Sequence, residues 1–182
     1  MRCLFWLTLF LASFVHAQNP NISKKETPRT IHILSYNTIF SKHYKGFKIK
    51  YSEFLDIKED FIIPVAFSFN NYQLKSNVLK SKGYKNFNQF LLGVGLDGFI
   101  KFYKGIYIGV GVNVPFGHET ARGFNNEKKS KFLIGFESKQ GIRLIPWEDL
   151  GIVLGVNYKQ QFINSNVLNR ELNFELELGI NF

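Results

Sequence analysis

The sequence predicts an all-β fold: eight antiparallel strands closed into an up-and-down transmembrane β-barrel, preceded by a cleaved signal peptide. Three observations carry this. Residues Leu172 to Phe182 read L-N-F-E-L-E-L-G-I-N-F, a strict alternation that gives a strand one apolar and one polar face. Connections of three or four residues alternate along the chain with longer polar ones. Mean hydropathy over the whole chain is -0.08, and past residue 30 apolar and polar residues interleave, with helical periodicity hard to find.

The first element is the leader. Met1-Arg2 supplies positive charge, Leu4 to Val15 is almost wholly apolar, and Val15 and Ala17 place small residues before a cut ahead of Gln18. The apolar run falls short of the roughly 20 residues a spanning helix needs. Residues 1–17 are therefore assigned to a signal peptide, 18–29 to a flexible lead-in and 30–182 to the barrel. Cys3 is the chain's one cysteine and lies in the leader. A domain without disulfides is held by its core or by closure of its sheet.

Strand one, about Thr30 to Phe40, carries two competing parities, Ile31 and Ile33 against Leu34, Tyr36 and Phe40. Strand two, about Phe47 to Ile57, aligns Phe47, Ile49, Tyr51, Leu55 and Ile57 on one face. Strand three runs from Phe61 to Leu74 with Ile63, Val65, Phe67 and Phe69 in register. The clearest hairpin follows: Phe90, Leu92, Val94, Leu96, Ile100 and Phe102 share a face, Lys104-Gly105 turns the chain, and Ile106 to Phe116 continues the same oily face. Strand six is about Lys131 to Ile145, strand seven Leu150 to Phe162, and strand eight is the terminal alternation.

Short connections are expected at 58–60, 103–105 and 146–149, long polar ones at 41–46, 75–87, 117–130 and 163–168. Membrane barrels have an even strand count with short turns at one end and long loops at the other. Closure follows from the solvent: hydrocarbon offers no hydrogen bonds, and a cylinder has no unpaired edge. Aromatic residues are expected in two belts. Phe40, Phe47, Tyr72, Phe90, Phe116, Phe132 and Phe162 lie beside the long loops, and Phe61, Phe102, Tyr103, Trp147 and Phe182 beside the short turns.

With the oily faces outward, the bore receives Lys48, Lys50, Asp56, Asp97, Lys101, Glu137, Lys139, Arg143, Lys159, Glu175 and Glu177. Eight strands leave an interior just wide enough for side chains to fill, so a paired charge network is expected in place of a wide channel. Inward glycines at 93, 95, 109, 111, 135, 141, 155 and 179 make room for it. Glu53, Ser138 and Gln140 fall on oily faces and break the pattern; a bulge, a register shift or a protein contact would each accommodate them.

The chain is basic, with 23 Lys+Arg against 14 Asp+Glu. Lys42, Lys45, Lys75, Lys80, Lys82, Lys85, Arg122, Lys128 and Lys129 are expected in the long loops, a surface suited to the phosphates of lipopolysaccharide or to another anionic ligand. No cofactor, metal or catalytic residue is assigned: the mature chain would have no cysteine and its histidines are scattered. The leader and the absence of a binding fold argue against a nucleic-acid partner.

Leader, eight alternating strands, loop rhythm and terminal Phe182 together resemble the small eight-stranded bacterial outer-membrane barrels, of the OmpA transmembrane-domain and OmpX kind. The resemblance covers residues 30–182. It implies residence in the outer membrane, with residues 18–29 on the periplasmic side. It also implies insertion by the barrel assembly machinery, reading Phe174, Leu176, Leu178, Ile180 and Phe182 as a terminal signal, and a structural or surface-interaction role in envelope integrity or adhesion. Two alternatives stay open. A lipid A-modifying barrel needs a histidine, a hydroxyl nucleophile and an orienting carboxylate; His118, followed by Thr120, and His32, near Ser35, are its candidates. A soluble periplasmic barrel of lipocalin type would need the apolar faces inward.

Overall fold

The computed structural model describes residues 31–54, 61–146 and 150–182. The leader, the lead-in, Leu55 to Asp60 with Asp56, and Trp147 lie outside the described residues. The strands are β1 (Ile31–Ser41), β2 (Tyr44–Phe54), β3 (Phe61–Ile62), β4 (Val65–Leu74), β5 (Tyr84–Tyr103), β6 (Ile106–Gly123), β7 (Lys128–Leu144), β8 (Gly151–Ile163) and β9 (Arg170–Asn181). A six-residue helix, α1 (Ser76–Ser81), precedes β5.

Every strand pairs antiparallel with its neighbours, and β1 pairs with β9, which closes the sheet. The nine segments make eight staves. Segments β3 and β4 both pair with β5 and are parted by Ile63-Pro64. Proline has no N–H for the ladder, yet the Pro64 carbonyl still accepts the Asp97 N–H at 3.1 Å, so the stave is continuous. First and last strands are stitched by reciprocal bonds of 3.0 Å between His32 and Phe182. The result is a closed, eight-stave, antiparallel up-and-down barrel.

The faces follow the alternation. Along β9, Glu171, Asn173, Glu175, Glu177 and Asn181 are buried, while Leu172, Phe174, Leu176, Leu178 and Ile180 are exposed. The same apolar exterior runs round the cylinder through Phe67 on β4, Leu92, Val94 and Leu96 on β5, Val110 and Val112 on β6, and Leu154 and Val156 on β8. A continuous apolar exterior around a charged interior is stable in hydrocarbon and not in water. The chain therefore spans a membrane, and the lipocalin-like arrangement is inverted from what the structure has. The two parities of β1 resolve: Leu34, Tyr36 and Phe40 face out, whereas Ile31, Ile33 and Ile39 are buried in the bore.

Several expectations are corrected. The connection expected at 41–46 is a two-residue turn, Lys42-His43. The stretch expected as a loop at 117–130 is mostly strand, with a tip at 124–127 where Asn126 adopts φ 61°. The 75–87 loop contains α1, and β5 already starts at Tyr84. Long and short connections therefore do not alternate strictly. Above the lipid zone a strand has water on its outer face, so polarity there marks exposure rather than loop. Finally, Tyr72 is not part of an aromatic belt: it shares the inward row of Asn70 and Leu74 and is fully buried. At the opposite end Gly105 turns the β5–β6 hairpin with φ +75°, a conformation that costs glycine little.

Candidate functional site: the bore and its cationic cap

Two apolar plugs close the bore. The one toward Phe182 packs Ile31, Ile33, Phe99, Tyr107, Ile145 and Val153. The one toward α1 packs Ile39, Tyr44, Tyr72, Phe87, Leu91 and Leu133 with Val167 and Leu168 of the β8–β9 connection, and Val78 and Leu79 of α1 lie against it. Neither plug was expected from the sequence. Their signature there is a set of apolar residues on polar rows, Ile33 being one.

Between the plugs lies the charged layer, in two clusters. In the upper cluster, Lys48 Nζ donates to Glu175 Oε1 at 2.8 Å, and Lys159 Nζ lies 3.0 Å from Glu175 and 3.2 Å from Glu137. Lys159 also donates to the Tyr72 hydroxyl at 2.9 Å, tying the charges to the plug above. In the lower cluster, Arg143 forks onto Glu177 through Nη2 (2.8 and 2.9 Å) and Nε (3.1 Å), Lys139 lies 2.7 Å from Asp97, and Lys50 stands 3.3 Å from Glu177 and 3.6 Å from Asp97. The Arg143 guanidinium also covers the Phe99 ring at 4.5 Å, which joins this cluster to the plug below. Lys101 is half-buried on the same inward row as Asp97 and Phe99. An alanine at position 111 would press its Cβ against Asp97 Oδ1 and Lys139 Cε, so glycine there leaves room for the network in its present geometry. The bore is thus filled by paired charges between the two apolar plugs.

The end that holds α1 is a cap laced to the staves. The Lys75 N–H donates to the His43 carbonyl at 3.0 Å, and Lys75 Nζ to the Ser41 carbonyl at 2.6 Å, which anchors the entry to α1. Ser165 Oγ accepts from the Val167 and Leu168 N–H groups at 3.0 and 2.9 Å and meets Glu119 Oε2 at 2.5 Å. Lys131 Nζ donates to the Asn164 carbonyl and to Asn166 Oδ1. Glu171 lies beneath, accepting from Ser41 Oγ at 3.2 Å and lying 3.0 Å from His43 Nδ1.

This lacing has an electrostatic consequence. Glu119 and Glu171 are buried and bonded to Ser165, Ser41 and His43, which leaves the exposed surface of the cap mostly cationic. Lys42, Lys45, Lys75, Lys80, Lys82, Lys85, Arg122, Lys128 and Lys129 are all exposed at this end, with Glu127 the exposed acid among them. Five of the expected loop cations are on strands instead. Lys45 is on β2, Arg122 on β6, and Lys128 and Lys129 on β7; Lys85 occupies a register shift in β5. Arg122 and Lys128 are directly opposed across the β6–β7 ladder, on the outward row that also holds Phe116, His118 and Phe132. Like charges in such a pair repel unless an anion lies between them. Sequence reasoning missed Arg170, which is exposed at the start of β9 with its guanidinium 5.3 Å from the Phe162 ring. A cleft of about 290 Å³ opens between the α1 exit and the β6–β7 tip, lined by Lys82, Tyr84, Phe124, Asn125, Glu127 and Lys129 among others.

The histidines expected to be catalytic candidates are far apart. His118 is exposed with its ring edge-on to Phe132. His32, at the opposite end, stacks between Tyr51 and Phe182, its Nδ1 2.6 Å from the Tyr51 hydroxyl. Around neither do the described residues place a hydroxyl nucleophile and a carboxylate in relay. His43 has the carboxylate, Glu171, but the adjacent Ser41 hydroxyl is bonded to that same carboxylate and not to the ring.

No sequence-family model matches the chain, and no curated protein matches it. Solved structures do. The attachment invasion locus protein Ail of Yersinia pestis is 13% identical with a TM-score of 0.53, over 84% of this chain and 97% of that one. Neisserial surface protein A is 14% identical at 0.53, over 84% and 94%. A major outer membrane protein of Thermus thermophilus is 12% identical at 0.51, over 84% and 98%. At these identities the likeness is one of fold, and the fold is that of the small eight-stranded outer-membrane β-barrels.

Proposed function

We propose that this chain is an integral protein of the bacterial outer membrane, inserted by the barrel assembly machinery, whose cap contacts lipopolysaccharide phosphates or a similar anionic surface. Its role is structural or adhesive, with no chemistry of its own. The observation that carries this is the Arg122–Lys128 pair on the outward row that holds Phe116 and Phe132, beyond those rings toward the cap and separated from the His118–Phe132 rung by Thr120 and Ser130. Aromatic rings settle at the membrane interface. Cations further along the same row, with long side chains, therefore reach the headgroup region, where guanidinium and ammonium groups bind phosphate. Fold likeness to outer-membrane barrels supports the location, and the strand-mounted cations support the ligand class.

Two experiments test this. The membrane fraction should contain the chain in a form that migrates differently on gels before and after boiling; equal migration would count against a membrane barrel. The purified barrel should bind lipopolysaccharide micelles in a salt-sensitive way. Arg122→Glu with Lys128→Glu should weaken that binding by about tenfold or more, on the order of 1.4 kcal/mol, while Arg122→Lys should not. Binding by the charge-reversed chain equal to the native would remove the phosphate reading and leave the membrane placement standing.

A further inference from the structure

We propose that two copies of this chain associate side by side in the membrane through an uncharged polar island on the outer wall of β7 and β8. Ser138 and Gln140 break the apolar row of β7, and Tyr158 and Gln160 break that of β8. The ladder pairs Ser138 directly with Gln160 and Gln140 with Tyr158, so the four form one block. Apolar residues enclose it on all sides. Phe136 and Ile142 lie above and below on β7, Val156 and Phe162 on β8. Val110 and Val112 oppose it on β6, Phe174 and Leu172 on β9. No bulge or register shift turns these side chains inward, since both the β6–β7 and β7–β8 registers are regular here.

None of the island's side chains is hydrogen-bonded to another described residue; Tyr158 only leans its ring against Phe174, 5.3 Å away. Acyl chains offer no hydrogen bonds, so amides and hydroxyls left against them are costly. A second copy is the occupant that fits. A membrane holds every copy at the same depth and in the same orientation. A twofold axis along the membrane normal therefore brings island against island at matching height. A carboxamide both donates and accepts, so Gln140 and Gln160 can pair with themselves or each other across that axis. The island carries no charge, so nothing repels. The surrounding aliphatic rows supply the rest of the contact.

The inference rests on the membrane placement proposed above, which gel migration tests separately. Its own test uses the full chain with Cys3→Ser, folded into phosphatidylcholine vesicles. Ser138→Cys should give an oxidative dimer in several-fold higher yield than Phe67→Cys, which sits on β4 across the barrel. Energy transfer between labelled copies should fall by about tenfold in apparent association for Gln140→Leu/Gln160→Leu at fixed protein-to-lipid ratio, with heat-shifted migration showing that the variant is folded. Equal cross-linking at positions 138 and 67, or association unchanged by the double substitution, would overturn the proposal. Should the leucine variant fail to fold, the cysteine comparison decides alone.

Discussion

Glu177→Ala should destabilise the folded barrel by about 3–5 kcal/mol, the range for breaking a buried ion pair from one side. Glu177 holds Arg143 by a fork of three contacts and stands 3.3 Å from Lys50. Without it, Asp97 alone faces Arg143, Lys139 and Lys50 inside a closed cylinder. Arg143 and Lys50 are almost wholly buried, between the plug of Phe99 and Tyr107 on one side and that of Tyr44 and Tyr72 on the other, so their charge would be left without a partner in the bore. Removing both partners is a different matter. Arg143→Met with Glu177→Leu deletes a charge of each sign and substitutes apolar volume, so its cost should be far less than the sum of the two single substitutions. Urea unfolding from vesicles, followed by gel migration, reads both numbers. A Glu177→Ala loss below about 1 kcal/mol would mean that the network is hydrated and does not fasten the bore.

The distribution of this network also shows what sequence reading reaches. Alternation in β9 is legible because one face meets a uniform apolar solvent, so no residue on it has reason to be polar. The inward rows have no such uniformity. They pass from plug to charge to plug, and the change of partner along one row appears in the sequence as noise. Ile31 and Ile33 make β1 look ambiguous for this reason: both parities are apolar, one for lipid and one for the plug. Tyr72 reads as an interfacial aromatic but is the roof over Lys159. The cap is less legible still. Its ties join residues far apart in the chain, Ser41 to Glu171 and Glu119 to Ser165, and no local pattern announces them. The helix α1 is a single short segment whose two apolar residues, Val78 and Leu79, matter only once the plug beneath them exists. By contrast, Ser138 and Gln140 are visible in the sequence as exceptions and remain exceptions in the structure.

Leu176→Arg should cost about 2–4 kcal/mol, as expected for a cation on the lipid face near the midplane. Leu176 lies mid-row on β9, with Leu172 and Phe174 on one side and Leu178, Ile180 and Phe182 on the other, and pairs outward with Thr38 and Val156. The same change at Leu172, nearer the cap, should cost about 0–1 kcal/mol, because a long side chain there can reach the headgroups. Thus the cost should vary with position along one face of one strand, with a maximum at its centre. A water-soluble barrel gives no such profile, since arginine on an exterior wetted everywhere changes little at either site. Equal, small effects at 172 and 176 would therefore contradict an exterior in contact with acyl chains, and the polar island on β7 and β8 would then need no partner.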